Sequence, residues 1–411
     1  MQILALGVGV ALVGGCTSST TPSAGGTTGA STGSAGSSTV LTVDESALQE
    51  IVTTTAEASL VPGAVAVLST PQGDVTLTYG TTELGKETSP DPETHFRIAS
   101  NTKTMTAAVV VLLAQEGKLR FDDPVSKYVP GVPNGDRITV SNLLKMRSGL
   151  YNYTTSSVLA TSLDNDPGKV WTMDEVLTLA FSEPPNFEPD TDFEYSNTNY
   201  ALLGLIAEKI DGKSLSQIFQ DRLFGPLGMD NTDFPEAESA DTIAEPYSHG
   251  YMYGGSSYAL LDGPYPPEII SGAHDGTLQP NDVTHQNSSY AKGAGGANST
   301  ATDLMTWMRT LVDGQILNSE FQRQWLDSPQ VEDPQNPAGQ WYGYGIVRQE
   351  IGGNSVYYHG GELPGFNSFM GRDPVNDMTL VVWTNLPVDV DGGHQTANDI
   401  AVKILLTIYG V

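Results

Sequence analysis

Three short patterns in this chain carry residue types that together could perform acyl transfer: Ser100-x-x-Lys103, Tyr195-x-Asn197 and His359-x-Gly361. A serine hydroxyl is a weak nucleophile until a neighbouring base takes its proton. Residues three apart on a helix lie about one turn from each other on one face, so a helix starting at Ser100 brings the Lys103 amine beside the hydroxyl. The unpaired N–H groups of a helix start also suit an oxyanion forming there. Each pattern has an ordinary structural reading as well: an N-cap serine with a solvated lysine, a hydrogen-bonded core tyrosine, a satisfied strand-end histidine. In a chain of this composition each arises by accident roughly once, so context must choose.

Context comes from the elements that hold the residues. SNTKTMTAAVVVLLAQEG, from Ser100 to Gly117, reads as an apolar helix with a glycine stop. Tyr195 and Asn197 sit in a polar turn feeding a second helix over Asn199 to Asp211, and His359 ends a strand that leads into Gly360-Gly361. The competing matches lack such settings. Ser289-Tyr290-Ala291-Lys292 runs into Gly293-Ala294-Gly295-Gly296 and cannot open an apolar helix, and His274-Asp275-Gly276 lies in loop composition. Gly29-Ala30-Ser31-Thr32-Gly33 has the form of a nucleophile elbow without the strand and helix that motif needs.

The remaining elements fall at the two ends of the folded part. A first helix over Ser46 to Ser59 precedes a hairpin of Ala64 to Thr70 and Asp74 to Tyr79, then Phe96-Arg97-Ile98. Mixed helix and loop follow, with short helices expected at Asn142 to Met146, Met173 to Phe181 and Ser214 to Leu223. Residues 248–286, rich in Gly, Tyr and Pro, read as an ordered excursion over the site. After a helix in ATDLMTWMRTLV, strands return at Trp341 to Gln349, Ser355 to Tyr358, Phe366 to Arg372 and Met378 to Thr384. A helix over Thr396 to Tyr409 closes the chain. Strands from both ends around a helical insertion predict one sheet assembled from distant halves, an α+β fold.

Charge and cysteine usage exclude several classes. The net charge is -29, from 19 basic and 48 acidic residues, which argues against nucleic acid or anionic lipid as a partner. One cysteine forbids an intramolecular disulfide, and six scattered histidines show no metal-ligand spacing, so neither metal nor cofactor is expected. That cysteine ends the apolar run of residues 1–15 in Val13-Gly14-Gly15-Cys16, which resembles a bacterial lipobox although no Lys or Arg precedes the run. The resemblance implies export, lipidation of Cys16 and a membrane link through that anchor only. Residues 17–42 then read as a disordered Ser/Thr/Gly tether to a hydrolase domain at 43–411, with a sheet lobe at about 43–99 and 290–411 and a helical lobe at about 100–289.

With flanks included, the blocks Phe96-Arg97-Ile98-Ala99-Ser100, Glu194-Tyr195-Ser196-Asn197-Thr198-Asn199-Tyr200 and His359-Gly360-Gly361 with Pro364-Gly365-Phe366 resemble the serine penicillin-recognising superfamily, in the branch of class C β-lactamases and secreted D-alanyl-D-alanine carboxypeptidases. The resemblance implies a β-lactamase/transpeptidase-like fold, with a central antiparallel sheet flanked by helices and a helical lobe inserted after the nucleophile helix. It implies Ser100 as nucleophile, Lys103 and Tyr195 as its proton partners, and a substrate carbonyl held by Asn197. The oxyanion is expected between the backbone N–H groups of Ser100 and Glu362, with His359 and Gly361 on the strand beside it. Tyr195 would share the proton only if cations, Lys103 and His359, favoured its anion. The carboxypeptidases carry threonines directly after and three after the strand histidine to bind a free carboxylate; here those positions are Gly360 and Glu362.

The function expected is a serine hydrolase forming an acyl-enzyme on a small peptide, ester or β-lactam, with a D-alanyl-D-alanine carboxypeptidase-like peptidase as the default. An esterase, a D-amino-acid amidase or peptidase, and a β-lactamase are the alternatives on the same scaffold. A catalytically silent binding protein is the alternative from another class, against which the intact set Ser100, Lys103, Tyr195 and Asn197 argues.

Overall fold

The computed structural model describes residue 41 and residues 43–261, 263–392 and 395–411. The signal-like segment, Cys16 and the tether through residue 40 lie outside the described residues.

Eight strands form one antiparallel sheet: β1 (Gly63–Thr70), β2 (Gly73–Gly80), β3 (Gln330–Val331), β4 (Trp341–Tyr342), β5 (Val347–Ile351), β6 (Asn354–Leu363), β7 (Phe366–Asp373) and β8 (Met378–Thr384), in the spatial order β2-β1-β8-β7-β6-β5-β4-β3. The hairpin from the start of the domain is joined to strands from its end through β1 and β8, with Val65 opposite Trp383 and Val67 opposite Val381. Every residue of β8 is buried. That requires cover on both faces, supplied by helices α1 (Glu45–Ala58) and α5 (Thr396–Tyr409) on one side and α4 (Ala301–Val312) on the other.

The helical part runs between β2 and β3 and contains the two helices that matter most to the site, α2 (Thr102–Gln115) and α3 (Asn197–Asp211). Helix α2 is buried from Thr102 through Val111, as expected of a helix that is apolar nearly all round. Its polar side chains are satisfied inside the protein: Thr106 Oγ1 donates to Gly293 O (2.7 Å), and Trp307 Nε1 of α4 donates to Thr104 Oγ1 (2.7 Å). Helix α3 ends at Gly212, in the left-handed conformation with φ 68°.

Several elements differ from the sequence expectation, among them the strand expected over Trp341 to Gln349, which divides into β4 and β5. Ser100 does not open the α-helix but sits in a 3₁₀ turn, Ala99–Asn101, that runs into α2, and Ala99 adopts a φ of 50°. The strand carrying His359 does not stop there; β6 continues through Gly360, Gly361 and Glu362 to Leu363 because their backbones stay in register with β7, Gly360 opposite Phe369 and Gly361 opposite Ser368. Two glycines gave no side-chain signal for that continuation. The described residues 248–261 and 263–286 contain two helices that composition did not reveal, Ser257–Leu260 and Pro267–His274.

Candidate active site

The site forms where the 3₁₀ turn, the starts of α2 and α3, and the far half of β6 converge. Beyond Tyr358, β6 has no partner on its β5 side, since the β5 ladder ends with the Tyr358–Val347 pair. The two-residue Pro364-Gly365 loop closes on the Leu363–Phe366 pair, so Leu363, Gly361 and His359 direct their backbone groups to β7. By alternation Gly360 and Glu362 direct theirs to the open edge. Gly361 lies directly over the turn carrying the nucleophile: a Cβ there would stand 2.2 Å from Ile98 O and 3.1 Å from Ala99 Cβ. Ser368 Oγ of β7 ties the same turn down, donating to Ile98 O (3.2 Å) and accepting from Asn101 Nδ2 (2.8 Å).

Lys103 is fully buried, and its Nζ lies 2.8 Å from Ser100 Oγ, 2.7 Å from Asn197 Oδ1 and 2.7 Å from Ala294 O. Burial holds the amine well below the ordinary lysine range. The neutral form fits these partners: two N–H bonds go to the two pure acceptors, Asn197 Oδ1 and Ala294 O, and the lone pair is left for the Ser100 O–H. That is the arrangement of a base poised on a nucleophile.

Tyr195 is buried, its hydroxyl faces Ser100 without a hydrogen bond of regular geometry, and its ring centroid lies 4.8 Å from Lys103 Nζ. Burial raises its pKa strongly, the contact with Ser100 opposes the rise, and the carboxylates of Glu332 and Glu362 add to it. The phenol is therefore neutral at rest. This corrects the idea that nearby cations favour its anion, and His359 supplies no such cation. Its imidazole is fully buried and pushed down to about 3, first by burial, to which Lys103 adds only when it carries a proton's charge. Its Nδ1 lies 2.6 Å from Gly360 O, which can only accept, so Nδ1 carries the proton and Nε2 accepts from the Tyr342 hydroxyl at 3.1 Å. His359 is a neutral, oriented imidazole whose ring centroid stands 6.3 Å from that of Tyr195.

Asn197 is fixed at both ends, with Oδ1 on Lys103 and Nδ2 donating to Thr154 Oγ1 at 2.8 Å. One of its two amide N–H bonds remains for a ligand carbonyl. Glu362 is buried at 4% exposure and its Oε2 accepts from Gln395 Nε2 at 2.5 Å. It lines a narrow cleft of about 20 Å³ that also meets Asn197, Tyr153, Tyr290, Leu260 and Leu363. Leu260 comes from the 248–286 excursion, which thus contributes a wall of the site.

Of the residues expected from sequence, Asn197 and Glu362 line this cleft. Lys103 contacts Ser100, Asn197 and the Tyr195 ring, His359 stands beside Tyr195, and Gly361 lies over the turn that carries Ser100, while Cys16 lies outside the described residues. Sequence reasoning missed Thr154, Tyr342 and Ala294, which act only through contacts across long chain separations; no local pattern marks them. The rejected patterns have structural work. Ser289 Oγ accepts from Trp171 N (2.7 Å) and Lys292 donates to Trp171 O, while His274 sits on the surface beside Asp391, 2.9 Å away. Among the described residues no cluster of His, Cys, Asp and Glu could hold a metal ion.

The buried Ser100, Lys103 and Tyr195, gathered beside the open edge of an antiparallel sheet, are the parts that serine acyl transfer requires. Residues 48–403 match the Beta-lactamase family, and the chain belongs to that family. Among solved structures it is similar to a D-stereospecific amidohydrolase from Streptomyces sp. (29% identity, TM-score 0.72, covering 87% of this chain and 98% of that one). It is also similar to the D-amino acid amidase from Ochrobactrum anthropi SV3 (27% identity, TM-score 0.75, 89% and 99% covered). Penicillin-binding protein 4* of Bacillus subtilis (strain 168) is 26% identical over 79% of this chain and 68% of its own. Protein flp of Staphylococcus aureus (strain MW2) is 36% identical, but over 43% of this chain and 35% of its own length.

Proposed function

We propose that this protein is a serine amidohydrolase that forms an acyl-enzyme on Ser100 and acts on small amides, peptides or esters whose leaving group carries no free carboxylate. The observation that carries this reading is the buried Lys103, its pKa lowered by burial and its amine directed at the Ser100 hydroxyl and at Asn197. Lys103 takes the Ser100 proton as Oγ bonds the substrate carbonyl carbon, and the resulting oxyanion rests between the backbone N–H groups of Ser100 and Glu362. Collapse breaks the bond to the leaving group, which takes the Tyr195 hydroxyl proton; the Lys103 ammonium returns its proton to the phenolate. Water then attacks the ester with the same pair acting in reverse. The neutral phenol of Tyr195 suits the role of acid, and Asn197 suits that of carbonyl donor. The kinship with amidases and penicillin-binding proteins supports amide chemistry.

The carboxypeptidase default fits the strand less well. Gly360 and Glu362 offer no hydroxyl, and a carboxylate at Glu362 repels another. Losing two hydrogen bonds to a charged group costs about 1.5–3 kcal/mol each, so a D-Ala-D-Ala peptide should react roughly 100-fold or more slowly than its C-terminal amide. Replacing Gly360 and Glu362 together by threonine should shift that preference toward the free acid. A native enzyme that prefers the free acid, with no further gain in the double variant, would overturn this reading. We also propose export with lipidation at Cys16; intact-mass analysis of membrane fractions should give a product starting at Cys16, and an unprocessed cytosolic chain retaining Met1 would refute it.

A further inference from the structure

The direction in which Lys103 offers its lone pair is set from farther away than its own contacts. Its Nζ meets two oxygens that can only accept, Ala294 O and Asn197 Oδ1, each at 2.7 Å. Both take N–H bonds, and the lone pair is left for the Ser100 hydroxyl, 2.8 Å away. Ala294 O is a backbone carbonyl and can bond in no other sense. Asn197 has a choice, because half a turn of its amide would exchange Oδ1 for Nδ2 at Lys103. The lone pair would then be spent on that amide, Lys103 would meet Ser100 as a donor, and the amine would be no base.

A chain of hydrogen bonds removes that choice, and its polarity starts at Asn152, a side chain 3% exposed. Its Oδ1 lies 3.0 Å from the backbone N of Asn197, and a backbone N–H can only donate, so an oxygen must stand there. The same oxygen lies 3.0 Å from Thr154 Oγ1. The Thr154 hydroxyl therefore gives its one proton to Asn152 and has only lone pairs for Asn197, 2.8 Å away on its other side. Asn197 must answer with Nδ2, which turns its Oδ1 to Lys103. Asn152, Thr154, Asn197 and Lys103 are all buried, so bulk water cannot repair a reversed link. The demand rises once the Ser100 proton has moved. The Lys103 ammonium then has three N–H groups and no lone pair, and a reversed amide would oppose donor to donor as the charge forms.

Resting on the acyl-enzyme reading above, we infer that Asn152 is a positioning residue for acylation: through Thr154 it holds the Asn197 amide with its oxygen on Lys103, and so aims the Lys103 lone pair at Ser100.

The test is burst kinetics with a p-nitrophenyl ester on Asn152→Leu, Thr154→Val, the two together, and Asn152→Asp. In Asn152→Leu the Thr154 hydroxyl loses its acceptor and donates to Asn197 instead, which reverses the amide. Acylation should slow by roughly 100-fold or more, the scale of general-base catalysis, with KM within about threefold of native. Thr154→Val removes the hydroxyl that drives the reversal. Added to Asn152→Leu, it should therefore speed acylation about tenfold over Asn152→Leu alone, a recovery that lost packing cannot give. Asn152→Asp keeps an acceptor for both donors and should acylate within about tenfold of native; this variant carries the test if Asn152→Leu does not fold. Additive losses in the double variant, or Asn152→Asp as slow as Lys103→Met, would overturn the role of Asn152. Native protein that gives neither a burst nor an adduct on Ser100 would overturn the acyl-enzyme reading instead.

Discussion

Gly361→Ala puts the geometry of the open strand edge to a quantitative test. The new Cβ would stand 2.2 Å from Ile98 O, 2.6 Å from Ser368 Oγ and 3.1 Å from Ala99 Cβ. The worst of these is with backbone of the turn that presents Ser100, not with a flexible side-chain end. Ordinary non-bonded separation is roughly 3.5 Å, so β6 and the turn must part by about 1 Å. A misplacement of that size in an active site costs roughly 10²-fold in rate. Gly360→Ala is the matched control, because its tight contacts would be with the Asn398 side chain, Nδ2 at 3.2 Å and Oδ1 at 3.3 Å, which can shift, and its backbone contact, Ser368 O at 3.6 Å, is ordinary van der Waals distance. Steady-state and burst kinetics with a p-nitrophenyl ester, alongside thermal unfolding, should show Gly361→Ala folded but about 100-fold slower in acylation and Gly360→Ala within about threefold of the native enzyme. Equal rates for the two variants would mean that the contact between β6 and the nucleophile turn does not set the reacting geometry.

Three further outcomes follow from the same geometry. The folded-state pKa of His359, about 3, lies below its ordinary 6.5, so as pH falls below 6.5 the unfolded chain binds a proton that the folded one refuses; the site should forfeit roughly 3 kcal/mol of stability by pH 4, and His359→Gln should flatten the urea-unfolding difference between pH 7 and pH 4. Thr154→Val should leave Asn197 Nδ2 without its 2.8 Å partner and raise KM for amides more than it lowers kcat, whereas a pure stability loss would leave the KM of the folded fraction unchanged. Ser289→Ala removes the acceptor for Trp171 N and should cost about 1–3 kcal/mol in denaturant unfolding without loss of specific activity; a loss of more than tenfold would place Ser289 in the chemistry.

Much of the site was legible because its spacing is local. Ser100 and Lys103 lie one turn apart whether that turn is α or 3₁₀, so the pairing survived a misjudged helix start. Tyr195 and Asn197 could be read from a polar turn running straight into an apolar helix. The strand beyond His359 could not, because Gly360 and Gly361 carry no side chain from which to read alternation, and their place in the sheet is decided by Phe369 and Ser368 across the ladder. The protonation states were equally hidden. Sequence made the Tyr195 anion conditional on cations at Lys103 and His359, but burial outweighs any such assistance, and burial is a property of the assembled fold. Thr154, Tyr342 and Ala294 enter the site from distant segments through one hydrogen bond each, and so left no trace in the sequence.

The central claim is that Ser100 becomes covalently acylated with Lys103 as its base. Protein treated with a fluorophosphonate or a penicillin, digested and mapped by mass spectrometry, should carry one adduct, on the peptide containing Ser100. The labelling rate should fall by roughly 10³-fold or more in Lys103→Met, a variant of similar length that removes the amine. An adduct on Ser289, or labelling of Ser100 at an undiminished rate in Lys103→Met, would contradict the account.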